Sequence, residues 1–251
     1  MSKIKALIGL LVLSLIPLGA QGQPLRVLAY ETSPFFFLEE GEPAGLEYEI
    51  LDYFAKAEGG ELDIVWMEDF DEILPTIAGA EADLAAATIT VTPERDTRVD
   101  FSTSYFPVRV VLVEPESRRT GTLEELRGET LATMTGTTYE DLLQDVPEAG
   151  FVYGDTEREL FELVSSGQAR ALAVDSAVAF TLVPEFPSLQ ITLPLSEEQH
   201  YAFATPEGSP LAGELSRHIR RMKQSRIYYR LLEKYFGEEA REAVMSAKDQ
   251  Q

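Results

Sequence analysis

In the stretch TITVTPERDTRVDFS, Thr88 to Ser102, two threonines stand two apart and an arginine follows shortly after. On a strand Thr88 and Thr90 would face the same side, because side chains alternate across a strand. Thr92-Pro93 then reads as a turn that brings Arg95 towards the same concave surface. Two hydroxyls and a planar guanidinium suit a small carboxylate, which arginine grips through parallel N–H bonds. A plainer reading has the threonines satisfying local backbone groups and Arg95 pairing with Glu94 or Asp96. The segment alone supports both.

Patterns for catalysis are weaker. The two histidines, His200 and His218, have no neighbour at metal-ligand spacing, and His218 is expected to be solvated on a charged helix. No GxSxG elbow and no glycine-rich phosphate loop is present. A Ser-His-Asp triad stays open, because its members are distant in sequence. The chain has no cysteine, so disulfides and thiolate metal sites are impossible. No metal site and no cofactor is expected. With 43 acidic against 21 basic residues the net charge is −22, which excludes nucleic acid as a partner, since phosphate contact needs clustered positive charge.

The N-terminus has a basic start, MSKIK, an apolar run, ALIGLLVLSLIPLGA, and small residues at Ala20 and Gly22. This predicts a signal peptide over residues 1–22, cleaved after Ala20 or Gly22, and hence export to the periplasm. A membrane span needs roughly 20 apolar residues and fits less well. No cysteine follows the run, which excludes a lipid-attached form.

The elements that must position the chemistry alternate. LRVLAY (25–30) predicts a strand, and GLEYEILDYFAKAEGG a helix with Leu46, Ile50, Leu51 and Phe54 on one face, stopped by Gly59-Gly60. ELDIVWM is a strand, DEILPTIAGA a short helix with Pro75 near its first turn, and ADLAAAT (82–88) a small-residue strand. This order predicts an α/β fold with a largely parallel sheet. After VDFSTSYFPVRVVLV the layout restarts with strand ETLATM, a helix opened by TGTTYEDLLQDV, and strand GFVYG. Thr156 and Glu159 have capping-box spacing before the helix TERELFELVSSG, and RALAVDSAVAFTLV runs from strand into helix. The end is helical. Ser209-Pro210 opens a helix carrying Leu211, Leu215, Ile219 and Met222, and Ser225 caps a last one stopped by Gly237.

The segments LRVLAYETSPFFF, PAGLEYEILDYFA, DFDEILPTIAGAEADLAAATITVTPERDTRVDFSTSYF, GTT and LAVDSAVAFTLV together resemble bacterial extracellular solute-binding proteins of family 3. These are the amino-acid receptors of ABC importers, and the likeness runs through the chain after residue 22. It implies a two-lobed α/β fold of the type II periplasmic-binding-protein kind. Lobe one would hold residues 24–104 and 201–251 and lobe two residues 110–196, with crossings near 105–109 and 197–200. In that family the arginine of T-x-x-x-x-R, here Thr90 and Arg95, grips the ligand carboxylate, and Thr88 adds a contact. The GTT turn, Gly136, Thr137 and Thr138, matches a loop facing the same carboxylate. Asp175 matches the acid that holds the α-ammonium, and Phe70 an aromatic wall. Ala29 and Thr32 stand where many relatives carry an acid and an aromatic, which alters the side-chain pocket. Met134 and Val174 read as pocket wall or as core.

What the resemblance implies is a monomer that captures a free α-amino acid and docks on an inner-membrane permease, without catalysis. Cyclohexadienyl dehydratases and the receptor module of a membrane-bound lytic transglycosylase are similar, so a catalyst on this scaffold is the alternative. Retention of Asp175, and a chain expected to end before any further enzyme domain, favour binding. A sensor subunit for a signalling partner is a third reading.

Overall fold

The structure, a computed structural model, describes residues 23–248, so the leader read in residues 1–22 lies outside the described residues. The strands of the first half are β1 (Leu25–Ala29), β2 (Phe37–Glu39), β3 (Glu42–Ala44), β4 (Leu62–Trp66), β5 (Leu84–Ala86), β6 (Asp100–Phe101) and β7 (Phe106–Val108). Then come β8 (Val110–Pro115), β9 (Thr130–Thr133), β10 (Gly150–Tyr153), β11 (Ala171–Asp175), β12 (Leu189–Pro194), β13 (Gln199–Tyr201) and β14 (Ala204–Thr205). The helices are α1 (Leu46–Ala57), α2 (Ile73–Ala78), α3 (Thr138–Gln144), α4 (Glu157–Ser165), α5 (Ser176–Leu182), α6 (Pro210–Lys223) and α7 (Arg226–Lys248).

Two five-stranded sheets form, ordered β4-β1-β5-β14-β6 and β10-β9-β11-β8-β12. Each contains a parallel trio with its earliest strand in the middle, β4-β1-β5 in one and β10-β9-β11 in the other. The halves are therefore copies of one layout, as the sequence predicts. The parallel expectation holds for the trios only. β14 runs antiparallel to β5 and β6, and β8 antiparallel to β11 and β12. A short antiparallel ribbon, with Tyr201 opposite Phe106 and His200 opposite Pro107, stands where the chain passes between the sheets.

Packing follows the residue periods. In β1, Val27 and Ala29 join one core cluster while Leu28 joins the other, which is the two-residue alternation of a strand buried on both faces. Helix α1 buries Leu46, Ile50, Leu51 and Phe54, the predicted stripe. Its first residue follows Gly45, whose φ is +117°; a Cβ there would lie 2.1 Å from the Phe35 carbonyl oxygen, so only glycine lets this helix start so close to the neighbouring loop. The predicted caps form: Thr156 Oγ1 accepts from Glu159 N–H at 3.3 Å, and Glu159 Oε2 accepts from Asp155 N–H at 2.7 Å. Gly237 interrupts α7 with φ 81°, as predicted for a stop.

Two local expectations fail. His218 is only partly exposed: its ring packs edge-on against Phe54 of α1 at 5.4 Å, and burial lowers its pKa. The helix pattern could not reveal this, because α1 and α6 are distant in sequence. Thr88 lies beyond the end of β5 and takes a left-handed φ of 49°, so it and Thr90 are not neighbours on one strand face.

Candidate functional site

Arg95 opens a short 3₁₀ turn, Arg95–Thr97, and its own N–H donates to Thr92 Oγ1 at 3.2 Å, which fixes where the side chain leaves the chain. The guanidinium does not settle into an ion pair with Glu94 or Asp96. It is buried and donates instead to two carbonyls, Thr90 O at 3.0 Å and Gly136 O at 2.8 Å. The first carbonyl belongs to the loops of the first sheet and the second to those of the other. Burial lowers the Arg95 pKa, and the charges of Asp141 and Asp175 oppose that shift.

The strained backbone of Thr88 has a specific support. Its N–H donates to Glu47 Oε1 at 3.0 Å, and the same oxygen takes the Tyr105 hydroxyl at 2.5 Å. A left-handed residue other than glycine costs about 1–2 kcal/mol, so it persists where its surroundings dictate it. Glu47 is fully buried, which pushes its pKa up to about 7 against the pull of these two hydrogen bonds.

Asp175 ends β11 and stands at the N-cap of α5. Its Oδ2 accepts from the Tyr201 hydroxyl at 2.5 Å, while Oδ1 is buried and has no hydrogen-bond partner among the described residues. Burial raises its pKa to about 6; the Tyr201 hydrogen bond and the Arg95 charge pull the other way.

Arg95, Thr88 and Asp175 line one narrow cavity between the two sheets. The first sheet contributes Phe70, Thr88, Thr90 and Arg95 to its lining. From the second come Thr137, Thr138 and Asp175, and also Met134 and Val174, which are thus wall as well as core. Two of the residues singled out in the sequence stand just outside the lining. Gly136 sits at the edge, where its φ of +77° and a Cβ position 2.8 Å from Asp71 Cβ show how closely the two sides approach. Thr32 is buried and donates to Glu157 Oε1 at 3.3 Å, again across the two sides. The Tyr30 hydroxyl donates to the Asp155 carbonyl, and the Tyr30 ring stands edge-on to Phe70 at 5.6 Å.

Tyr139, Glu157 and Val178 complete the lining and were not foreseen. Glu157 is the informative miss. An acid in the first turn of a helix reads as a dipole partner on the surface, yet here it is buried, and burial raises its pKa to about 7. The available signal was spacing: Glu157 lies one helical turn before Leu160 and Phe161, both buried, and so shares their inward face.

The model of the bacterial extracellular solute-binding proteins, family 3, matches residues 25–238. The chain belongs to this family. The glutamine-binding protein GlnH of an ABC transporter in Bacillus subtilis is 28% identical over 213 residues, covering 80% of this chain and 76% of that one. Membrane-bound lytic murein transglycosylase F of Desulfosudis oleivorans is 27% identical over 218 residues, and this chain spans about half of it, 48%. Among solved structures, a mutant of ArgBP from T. maritima superposes with a TM-score of 0.80 at 30% identity, covering 86% of this chain and 96% of that one. The two-lobed α/β architecture expected of the family is the one found.

Proposed function

We propose that this family member captures a free α-amino acid between its two lobes and delivers it to the permease of an ABC importer. The supporting observation is one cavity lined by a buried guanidinium, Arg95, and a buried carboxylate, Asp175, whose Oδ1 has no hydrogen-bond partner among the described residues. An α-amino acid carries a carboxylate for the first and an ammonium for the second. Thr88, Thr90 and the Gly136–Thr138 turn would fix the carboxylate, with backbone N–H groups at the start of a helix adding to the pull on an anion. Phe70 would wall the side chain. GlnH and ArgBP, relatives with binding names, agree with this reading.

The lobes in this proposal are residues 24–104 with 201–251, and residues 110–196. Closure would turn on the ribbon of β7 and β13 near 105–109 and 197–200, a hinge motion of a known class. The protein acts as an exported monomer in the periplasm and has no catalytic role. Calorimetry of solute-stripped protein against the twenty amino acids tests this. Saturable binding of at least one supports it; no heat with any of them overturns it.

One observation favours a second reading. Asp175 and Glu157, raised to about 6 and about 7, lie in the range where a carboxyl serves as a general acid. Turnover of prephenate or arogenate, assayed beside the calorimetry, would make the site catalytic.

A further inference from the structure

One buried acid takes no part in the amino-acid clamp. Glu47 lies in the first turn of α1, fully buried, and makes no salt bridge among the described residues. Its Oε2 is buried and has no hydrogen-bond partner among those residues. A buried carboxyl without a counter-ion is costly, and stability alone would favour an apolar side chain at such a position. What Glu47 does make is two hydrogen bonds through one oxygen. Its Oε1 accepts from the Thr88 N–H at 3.0 Å and from the Tyr105 hydroxyl at 2.5 Å. Its own backbone is fixed, because its N–H donates to the Phe35 carbonyl at 2.9 Å.

The two donors belong to different parts of the molecule. Thr88 lines the cavity and holds a left-handed φ of 49°, a conformation rare for a β-branched residue. Tyr105 opens the proposed crossing between the lobes and is fully buried. From Tyr105 the bonding continues towards the other end of the clamp. Its N–H donates to the Tyr201 carbonyl at 2.9 Å, and the Tyr201 hydroxyl donates to Asp175 Oδ2 at 2.5 Å. The Tyr228 hydroxyl of α7 holds the Tyr105 carbonyl at 2.5 Å. A run of buried groups thus joins Thr88 to Asp175 through Tyr105 and Tyr201, which stand near the two crossings. Glu47 is the member of that run that holds the strained residue.

We propose that Glu47 is a positioning residue for the ligand: it holds Thr88 in its cavity-lining conformation and ties it to the crossing at Tyr105. Ligand affinity then depends on a side chain that is not itself in the cavity lining. This rests on the amino-acid reading above. The chemistry required is an acceptor at Oε1 rather than a negative charge, so glutamine in its place should serve and leucine should not. With leucine the Thr88 N–H has no acceptor, and the left-handed conformation loses what offsets its strain.

The test compares solute-stripped wild type, Glu47→Gln and Glu47→Leu on two readouts. Hydrogen exchange of the Thr88 amide, followed by NMR without ligand, should be slow in wild type and Glu47→Gln and at least about tenfold faster in Glu47→Leu. Calorimetric titration with each of the twenty amino acids should show the wild-type ligand bound within about threefold by Glu47→Gln and about 5- to 30-fold more weakly by Glu47→Leu. A third comparison separates positioning from general loosening. Glycine takes a left-handed φ without support, so in a Thr88→Gly background Glu47→Leu should cost less than about threefold further. If Glu47→Leu does not fold, Tyr105→Phe, which removes the second donor from Oε1, decides instead. It should change both readouts about threefold to tenfold, and unchanged values overturn the inference. Unchanged affinity or unchanged Thr88 exchange in Glu47→Leu, a loss in Glu47→Gln equal to that in Glu47→Leu, or the same loss in both Thr88 backgrounds overturns it while leaving the amino-acid reading intact. If wild type binds none of the twenty, both fall together.

Discussion

The two ends of the cleft are built on opposite plans. At one end Arg95 is satisfied within the protein, its guanidinium held by the carbonyls of Thr90 and Gly136 at 3.0 and 2.8 Å. At the other end Asp175 is half satisfied, with Tyr201 on Oδ2 and, among the described residues, no hydrogen bond to the buried Oδ1. The Arg95 guanidinium is thus oriented by backbone carbonyls from both sides of the cleft. The acid is left short of partners, and a buried unpaired oxygen costs roughly 1–3 kcal/mol, more when charged. Burial raises its pKa, against the pull of Tyr201 and Arg95. One end is satisfied within the protein and the other is not.

Substitution at each end should break the comparison in opposite directions. Arg95→Ala and Asp175→Ala should each weaken amino-acid binding about 30- to 5,000-fold, because each strands a charge of the ligand. In the solute-free protein, Arg95→Ala and Asp175→Asn should have effects that differ in sign. Arg95→Ala leaves two carbonyls without their donor and should lower the melting temperature. Asp175→Asn keeps an acceptor for Tyr201 but removes the buried charge, and should leave the melting temperature unchanged or higher. The same sign at both ends, read by thermal unfolding without ligand, would erase the contrast.

A smaller effect is expected where the two sides touch. Gly136→Ala forces a Cβ to within 2.8 Å of Asp71 Cβ and places a side chain at φ +77°. Strain of about 1–2 kcal/mol in the bound form corresponds to an affinity loss of about 5- to 30-fold, measurable by calorimetry. An unchanged affinity would mean that this contact is not part of the binding form.

The acid end should also respond to pH. Asp175 rises from an ordinary 3.8 to about 6 in the folded chain. An ammonium ligand needs the ionised form, so affinity should fall about tenfold per pH unit below about 6. The solute-free protein should behave oppositely. A carboxyl with a raised folded pKa contributes stability that is present below 3.8 and lost as pH rises through about 6. Asp175→Asn should flatten both trends; a pH-independent affinity between 5 and 7 would contradict the raised pKa. The mildest change expected is Phe70→Ala, which should weaken binding about fivefold to tenfold with little change in the solute-free melting temperature. A large stability loss with unchanged affinity would assign Phe70 to the core.

How much of this was legible in the sequence depends on how local the cause is. The α1 stripe, the Thr156–Glu159 cap and the Gly237 break follow from spacing within one element, and each was readable. Arg95 and Asp175 were visible through family resemblance rather than through periodicity. What stayed hidden depends on partners far along the chain. Thr88 turns left-handed because Glu47 holds its N–H, and Glu47 alone looks like an ordinary first-turn acid. Glu157 misleads for the same reason. His218 is covered by Phe54 of another helix, and β14 returns antiparallel to β5 from the distant C-terminal part. Composition registers none of these pairings.

The central claim is that one small molecule is held at both ends, by Arg95 and by Asp175. The most direct measurement is a competition titration of solute-stripped wild-type protein with the best-binding amino acid, its decarboxylated amine and its Nα-acetyl derivative. The amine lacks only the group for Arg95, and the acetylated form only the charge for Asp175. The account predicts that both lose at least about 30-fold in affinity. If either analogue binds within a few-fold of the parent amino acid, the clamp at that end does not exist.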